Sequence, residues 1–273
     1  MTERMSTPAV AEGTRVCYLY GVVRSDRRPD LKGVVGVGGA PLSFVDVGSL
    51  TAVVGAVAAE LLAPPGDEQQ EAAWLEATVR AHEHVLERCL EPGPVVPMRL
   101  ATTLREDADV RTLLRERQME LTTSLERLLG RREWGVKAFL HDPGSLVRHV
   151  RGARGDFATR ERELEGRSPG ASYFARKRLD QALTLAGDEL ISERVHLAHE
   201  RLTAIAVDAR LITGRQQRAD RVCLNSAYLV AEADEEAFRT HVAELGSADA
   251  EVGLHYELTG PWPAFNFVDG EAE

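Results

Sequence analysis

Residues 258–268, Leu-Thr-Gly-Pro-Trp-Pro-Ala-Phe-Asn-Phe-Val, constrain this chain more than any other stretch. Pro261 and Pro263 hold φ at about −65° and lack the N–H that a ladder needs, so a strand entering this segment is expected to stop at Gly260 and the chain to continue extended. Trp262, Phe265 and Phe267 each bring roughly 150–250 Å² of buriable surface, and leaving them in water would forfeit several kcal/mol. They need a groove. The terminus, residues 259–273, is therefore expected to be a docked tail that packs between two domains, with Pro261, Trp262, Pro263, Phe265 and Phe267 as its structural residues.

The chain has 273 residues and 44% hydrophobic content, which suits two domains better than one. After a polar tail over residues 1–14, expected to be disordered, residues 16–23 and 42–47 are β-branched and aromatic and read as strands. A further run over 50–57 follows only Gly48-Ser49, so it should form a hairpin with the run before it. Asp67 and Gln70 make a capping box for a helix to Leu90, whose apolar face is Trp74/Leu75, Thr78/Val79, His82, Val85/Leu86 and Cys89. Residues 95–100 form a short strand demoted to an edge by Pro97. Arg99, set among apolar residues, calls for a carboxylate or carbonyl partner. Thr103 and Glu106 suggest a second capping box, opening a helix with Val110, Leu113/Leu114, Leu121, Leu125 and Leu128 on one face and Gly130 as its stop. An N-terminal α+β domain over 15–130 follows.

Residues 134–140 are another strand, and from 145 to 208 the text is almost wholly helical. Residues 221–231 form a strong strand, Asp234 caps a short helix stopped by Gly246, and 251–258 alternate cleanly as a last strand. Strand, helix, strand after an earlier strand and helix suggests a ferredoxin-like α+β domain over 131–258, with 145–208 as an inserted helical extension. One of its four strands is not obvious; residues 209–212 or a split of the 221 run are the candidates.

The chemical motifs are weak. Gly33, Gly36, Gly38 and Gly39 lack a following Gly-Lys-Ser/Thr, and Pro41 blocks an immediate helix, which argues against a phosphate loop. His82 and His84 are two apart on a helix and point about 200° apart, so they cannot share one metal ion, and His82 reads as a packed histidine. Gly166-Arg167-Ser168-Pro169-Gly170 spells a nucleophile elbow, but the run before it is charged and helical, so Ser168 is better used as an N-cap with Pro169 at the first helical position. Cys17, Cys89 and Cys223 have no metal or redox spacing and fit a reducing cytoplasm. A net charge of −10 opposes nucleic-acid binding, and no run approaches the roughly 20 apolar residues of a membrane span. Arg99 and Lys177 read as structural ion-pairing residues; no catalytic, metal or cofactor-binding set is expected. His82, Arg99, Glu133, Lys177 and His255 are the polar residues that an enzymatic or ligand-binding module on a ferredoxin-like frame, the alternative reading, would have to gather.

Several segments together resemble one family. Tyr18-Leu19-Tyr20-Gly21 resembles the opening strand of the GvpF/GvpL accessory proteins of gas vesicles. Val96-Pro97-Met98-Arg99-Leu100-Ala101-Thr102 is similar to their Leu-Pro-hydrophobic-Arg-Phe-Gly-Thr segment, with Leu100-Ala101 in place of Phe-Gly, and Tyr173-Phe174-Ala175-Arg176-Lys177 to their Tyr-Leu/Phe-x-x-Lys. Asn225-Ser226-Ala227-Tyr228-Leu229-Val230 and Thr259-Gly260-Pro261-Trp262-Pro263-Ala264-Phe265-Asn266-Phe267 complete the order, with Ala264 where a second proline is common. The resemblance implies two α+β domains, a tail that packs them together, and no catalysis. It further implies a cytoplasmic role in gas vesicle assembly, with contact to the hydrophobic shell protein GvpA and to other accessory Gvp proteins.

Overall fold

Strand β1 (Arg15–Arg24) carries an unbroken buried run from Cys17 to Val23, which only a central strand covered on both faces can accommodate. Such a strand is what a computed structural model shows. It describes residues 14–153, 155–164, 169–212 and 222–268. The chain divides into two compact units, one built from the part up to Gly130 and again from Pro263 onward, the other from Arg131–Trp262. Of the segments named above, residues 1–13, residues 165–168 with Ser168, residue 221 and residues 269–273 lie outside the described residues.

In the first unit β1 lies between β3 (Leu50–Ala58) and β4 (Val95–Pro97), and β2 (Leu42–Val47) pairs with β3 through the two-residue turn Gly48-Ser49. All pairs are antiparallel. A bulge between Leu19 and Gly21 flips the side-chain parity of β1. Tyr18, Tyr20 and Val23 consequently face helix α1 (Glu68–Leu90), packing with Val85, Leu86 and Cys89. Cys17, Leu19 and Val22 face α2 (Asp107–Glu116) and α3 (Gln118–Leu128), packing with Val110, Leu114, Leu121 and Leu125. The sheet is thus sandwiched between helices, with Pro97 at the edge strand where a missing N–H is tolerated.

Several expectations for this unit need correction. Thr103 does not cap a helix: Thr103–Leu104 forms β5, which pairs with Cys17 and Tyr18, and that ladder takes the backbone a cap would have used. The helix starts after Glu106 without a side-chain cap. It also breaks at Arg117 (φ −100°, ψ 16°), where polar residues interrupt the apolar stripe and Arg117 pairs with Glu120. Asp67 does cap α1, accepting from the Gln70 amide at 3.1 Å. The burial of α1 begins only at Thr78, however, and Leu75 remains 45% exposed.

In the second unit, β6 (Arg131–Leu140) and β8 (Val222–Ala231) form the middle of an antiparallel sheet ordered β7-β8-β6-β9, with β7 (Asp208–Leu211) and β9 (Leu254–Trp262) as edges. The strand not obvious from the text is therefore the first of the two candidates. Helices α4 (Pro143–Ala153), α5 (Gly155–Leu164) and α6 (Pro169–Thr203) connect β6 to β7. They pack their apolar stripe, Leu146, Val150, Phe157, Leu179, Leu183, Ala186 and Leu202, against the same sheet face as α7 (Glu235–Asp249). The 145–208 stretch is thus part of this unit's core rather than an appendage to it.

Two boundaries differ from the expected ones. Helix α7 runs through Gly246 and ends at Asp249; the reversal comes at Gly253, φ 82°, after a short turn over Ala250–Val252 that takes Val252 out of the strand. Strand β9 does not stop at Gly260 but pairs with β6 as far as Trp262, opposite Glu133. It can do so because β9 is an edge strand, where Pro261 removes no ladder bond, and because Gly260, at φ 120°, absorbs the register shift there.

Candidate functional site

Three separated segments of the first unit meet around His82. The ring is buried on the inner face of α1, with Tyr18 of β1 on one nitrogen and the carbonyl of Met98, just after β4, on the other. The Met98 carbonyl can only accept, so Nε2 carries the proton and donates at 3.1 Å, while Nδ1 accepts from the Tyr18 hydroxyl at 3.0 Å. That hydroxyl in turn accepts from the Ala101 amide at 2.9 Å. Both ring nitrogens of His82 and the Tyr18 hydroxyl are thereby satisfied with the histidine neutral. Burial accordingly pulls His82 below its ordinary pKa and pushes Tyr18 up. Tyr20 stacks against the same ring; its hydroxyl accepts from the Val37 amide at 2.8 Å, and burial pushes it up to about 12.

The terminal segment adds to this cluster. Phe265 lies with its ring 6.4 Å from that of His82. Tight turns, Phe265 N–H to the Pro263 carbonyl at 2.7 Å and Phe267 N–H to the Ala264 carbonyl at 3.1 Å, send Pro263, Ala264 and Phe267 inward and leave Phe265 40% exposed. Not all three aromatics are therefore engulfed: Phe267 is fully buried, Phe265 is covered on one side, and Trp262 is half-buried with Nε1–H donating to Thr259 at 3.2 Å. Val268 packs against the opposite, α2/α3 side of the sheet. Pro261 is half-buried on β9.

The other predicted residues do not converge. Arg99 is exposed, since the chain emerges from the core after Met98, and only its carbonyl is engaged, by Thr102. Lys177 is exposed on α6. Among the described residues neither closes an ion pair. Within the second unit Glu133 is buried whereas Lys177 and His255 face water. Sequence reasoning missed the network that Asp249 centres: the buried carboxylate accepts from Tyr256 at 2.7 Å and from Arg194 at 3.1 Å, joining α7, β9 and α6. Asp249 at the end of a helix, a few residues before an alternating strand, carried no signal that would separate it from a solvated acid.

Two surface depressions of about 530 and 430 Å³ share Val16 and Arg105 in the first unit. The second is lined by Cys17, whose thiol donates to the Asp107 carboxylate at 3.8 Å. Arg105 is engaged by Asp109, and Cys17, facing the second depression, is pushed up to about 11 by burial and by Asp107, so it is a thiol and not a thiolate. Cys89 is pushed up to about 12 by burial alone. Among the described residues, no three metal-ligating side chains gather, and no helix is long and apolar enough to cross a membrane.

The meeting of the Tyr18–Gly21, Val96–Thr102 and Phe265–Phe267 segments makes a single structural unit of motifs scattered along the sequence. The profile of the family described as "Gas vesicle synthesis protein GvpL/GvpF" matches residues 16–269. The chain belongs to the GvpL/GvpF family. Its relatives include gas vesicle protein L of Streptomyces sp. (strain CB03234), 33% identical over 93% of either chain. Gas vesicle protein F2 of Halobacterium salinarum is 25% identical, over 92% of this chain and 91% of its own length. Among solved structures, GvpF from Anabaena sp. PCC7120 superposes with a TM-score of 0.71 at 17% identity, covering 94% of this chain and 99% of that one. GvpF from Microcystis aeruginosa gives 0.65 at 16% identity, covering 93% and 99%. Membership of the GvpL/GvpF family carries a role in gas vesicle formation, and the fold of mixed helices and two antiparallel sheets is that of the GvpF structures.

Proposed function

We propose that this GvpL/GvpF protein is a non-catalytic assembly factor that holds the hydrophobic shell protein GvpA, together with other accessory Gvp proteins, at the growing gas vesicle in the cytoplasm. One observation carries the reading. Edge strand β7 and its flanks present Val207, Leu211 and Ile212 to solvent, 48%, 61% and 37% exposed, on a sheet edge that a client strand can extend. An apolar client is matched by such an edge, because backbone pairing supplies affinity and the exposed aliphatic side chains shield it from water. The antiparallel order β7-β8-β6-β9, with helices linking β6 to β7 and β8 to β9, supports a ferredoxin-like frame for this unit.

Deleting 145–208 is a poor test, since it strips the core of the second unit. Leu211→Lys is better, because it places a charge on an exposed edge position. Co-purification of GvpA with the wild type and its loss with Leu211→Lys, at unchanged folding, is the expected outcome. GvpA retained equally by both would exclude this edge.

A further inference from the structure

Helix α6 has a second face that the fold does not use. Leu179, Leu183 and Ala186 are buried on its inner side. On the outer side Phe174, Arg178, Gln181, Leu185, Asp188 and Ser192 are all exposed and recur at alternate spacings of four and three. At about 100° per residue they fall within about 60° of the line through Leu185. Phe174 and Leu185 are 67% and 64% exposed, large apolar side chains on a helix whose opposite side already satisfies the core. The charges within about 80° of that line are sorted by sign. Lys177 and Arg178 precede Leu185 and close no ion pair among the described residues, whereas Asp188, Glu189, Glu193 and Glu200 follow it; Arg176, Asp180, Arg194 and Arg201 lie on the other sides of the helix.

We propose that this protein forms a two-fold symmetric dimer through the outer face of α6, the two helices running antiparallel with Leu185 at the axis. In that register residue 185−n of one copy lies level with 185+n of the other. Leu185 packs on Leu185, Phe174 lies level with His196, and Gln181 lies beside Asp188 of the second copy. Arg178 lies level with Ser192 and on the same side as Glu189, one turn along, within reach of a guanidinium. Asp188 and Glu189 already have contacts within the chain; a carboxylate has acceptor sites for a further donor. A parallel arrangement would instead stack Lys177 and Arg178 on their own copies and Asp188 on Asp188. A purely acidic partner would be repelled by the second half of the face. The pattern is self-complementary only when reversed, which is why a second copy is the occupant. This surface is separate from the β7 edge, so the dimer stands independently of the function proposed above.

The test is the oligomeric state of the full chain. Sedimentation velocity over a range of concentrations should show a dimer that weakens with salt. Leu185→Asp should give a monomer, Arg178→Glu should weaken association by at least about tenfold, and Arg178→Glu combined with Glu189→Arg should restore it. Leu185→Cys, in a chain with Cys223→Ser, should cross-link to a disulfide dimer on oxidation because the residue sits on the axis. A wild type that stays monomeric at every concentration overturns the proposal. So does a dimer that persists in Leu185→Asp with no cross-link at position 185.

Discussion

Ala101 is the one non-glycine residue with positive φ, 64°, among the described residues, and its amide anchors the Tyr18–His82 chain. The GvpF/GvpL pattern has glycine here, and the geometry supplies the reason, since a Cβ is strained in the left-handed region. Ala101→Gly is expected to raise stability by about 1 kcal/mol in urea denaturation, relief of strain outweighing the added freedom of the unfolded chain. Tyr18→Phe should cost roughly 1–3 kcal/mol, because it leaves His82 Nδ1 and the Ala101 amide without partners. His82 also sets a pH dependence. Its folded pKa lies below the ordinary 6.5, so below about pH 6.5 the unfolded chain binds the proton more readily. The contribution is complete above that pH and is lost as pH falls towards the lowered folded value. Urea midpoints at about pH 7.5 and 5.5 should show this drop in the wild type and a smaller one in His82→Gln. The position of His82 on a helix face was legible from spacing alone. Its partners were not: Tyr18 lies 64 positions away, and a bulge that no alternation pattern announces decides which way that tyrosine points.

At the scale of elements, interiors were legible and ends were not. The hairpin over β2 and β3, the apolar stripes of α2 and α3 and the alternation of β9 all follow from period and turn chemistry. The end of α7 did not follow, because Gly246 has open space where a side chain would sit and imposes nothing, while Gly253 is held by packing from a distant loop. A Cβ on Gly253 would stand 2.2 Å from the Asp142 carbonyl oxygen, and φ is 82°. Gly253→Ala should therefore destabilise the second unit by more than about 2 kcal/mol, whereas Gly246→Ala should be neutral or stabilising by up to about 1 kcal/mol; thermal unfolding of the pair checks the contrast. Asp249→Ala removes the acceptor of both Tyr256 and Arg194 and is expected to cost roughly 1–3 kcal/mol by the same measurement.

At the scale of the whole molecule, the first unit is discontinuous: it is left at Gly130 and re-entered at Pro263. The aromatic terminus announced burial, but composition could not say which residues would be inside, since that depends on turns that bury Phe267 and expose Phe265. Phe267→Ala should cost roughly 3–5 kcal/mol, and hydrogen exchange should show the loss in α1, α2 and α3 with β6 and β8 still protected; uniform loss in both units would contradict this. The same discontinuity has a consequence during translation. The ribosome must make all of Arg131–Trp262 before the strip that seals the first unit emerges, an interval of roughly ten seconds at ordinary elongation rates. For that time the first unit lacks the Phe267 side chain that the finished fold buries, and its completion is postponed until translation has passed Pro263.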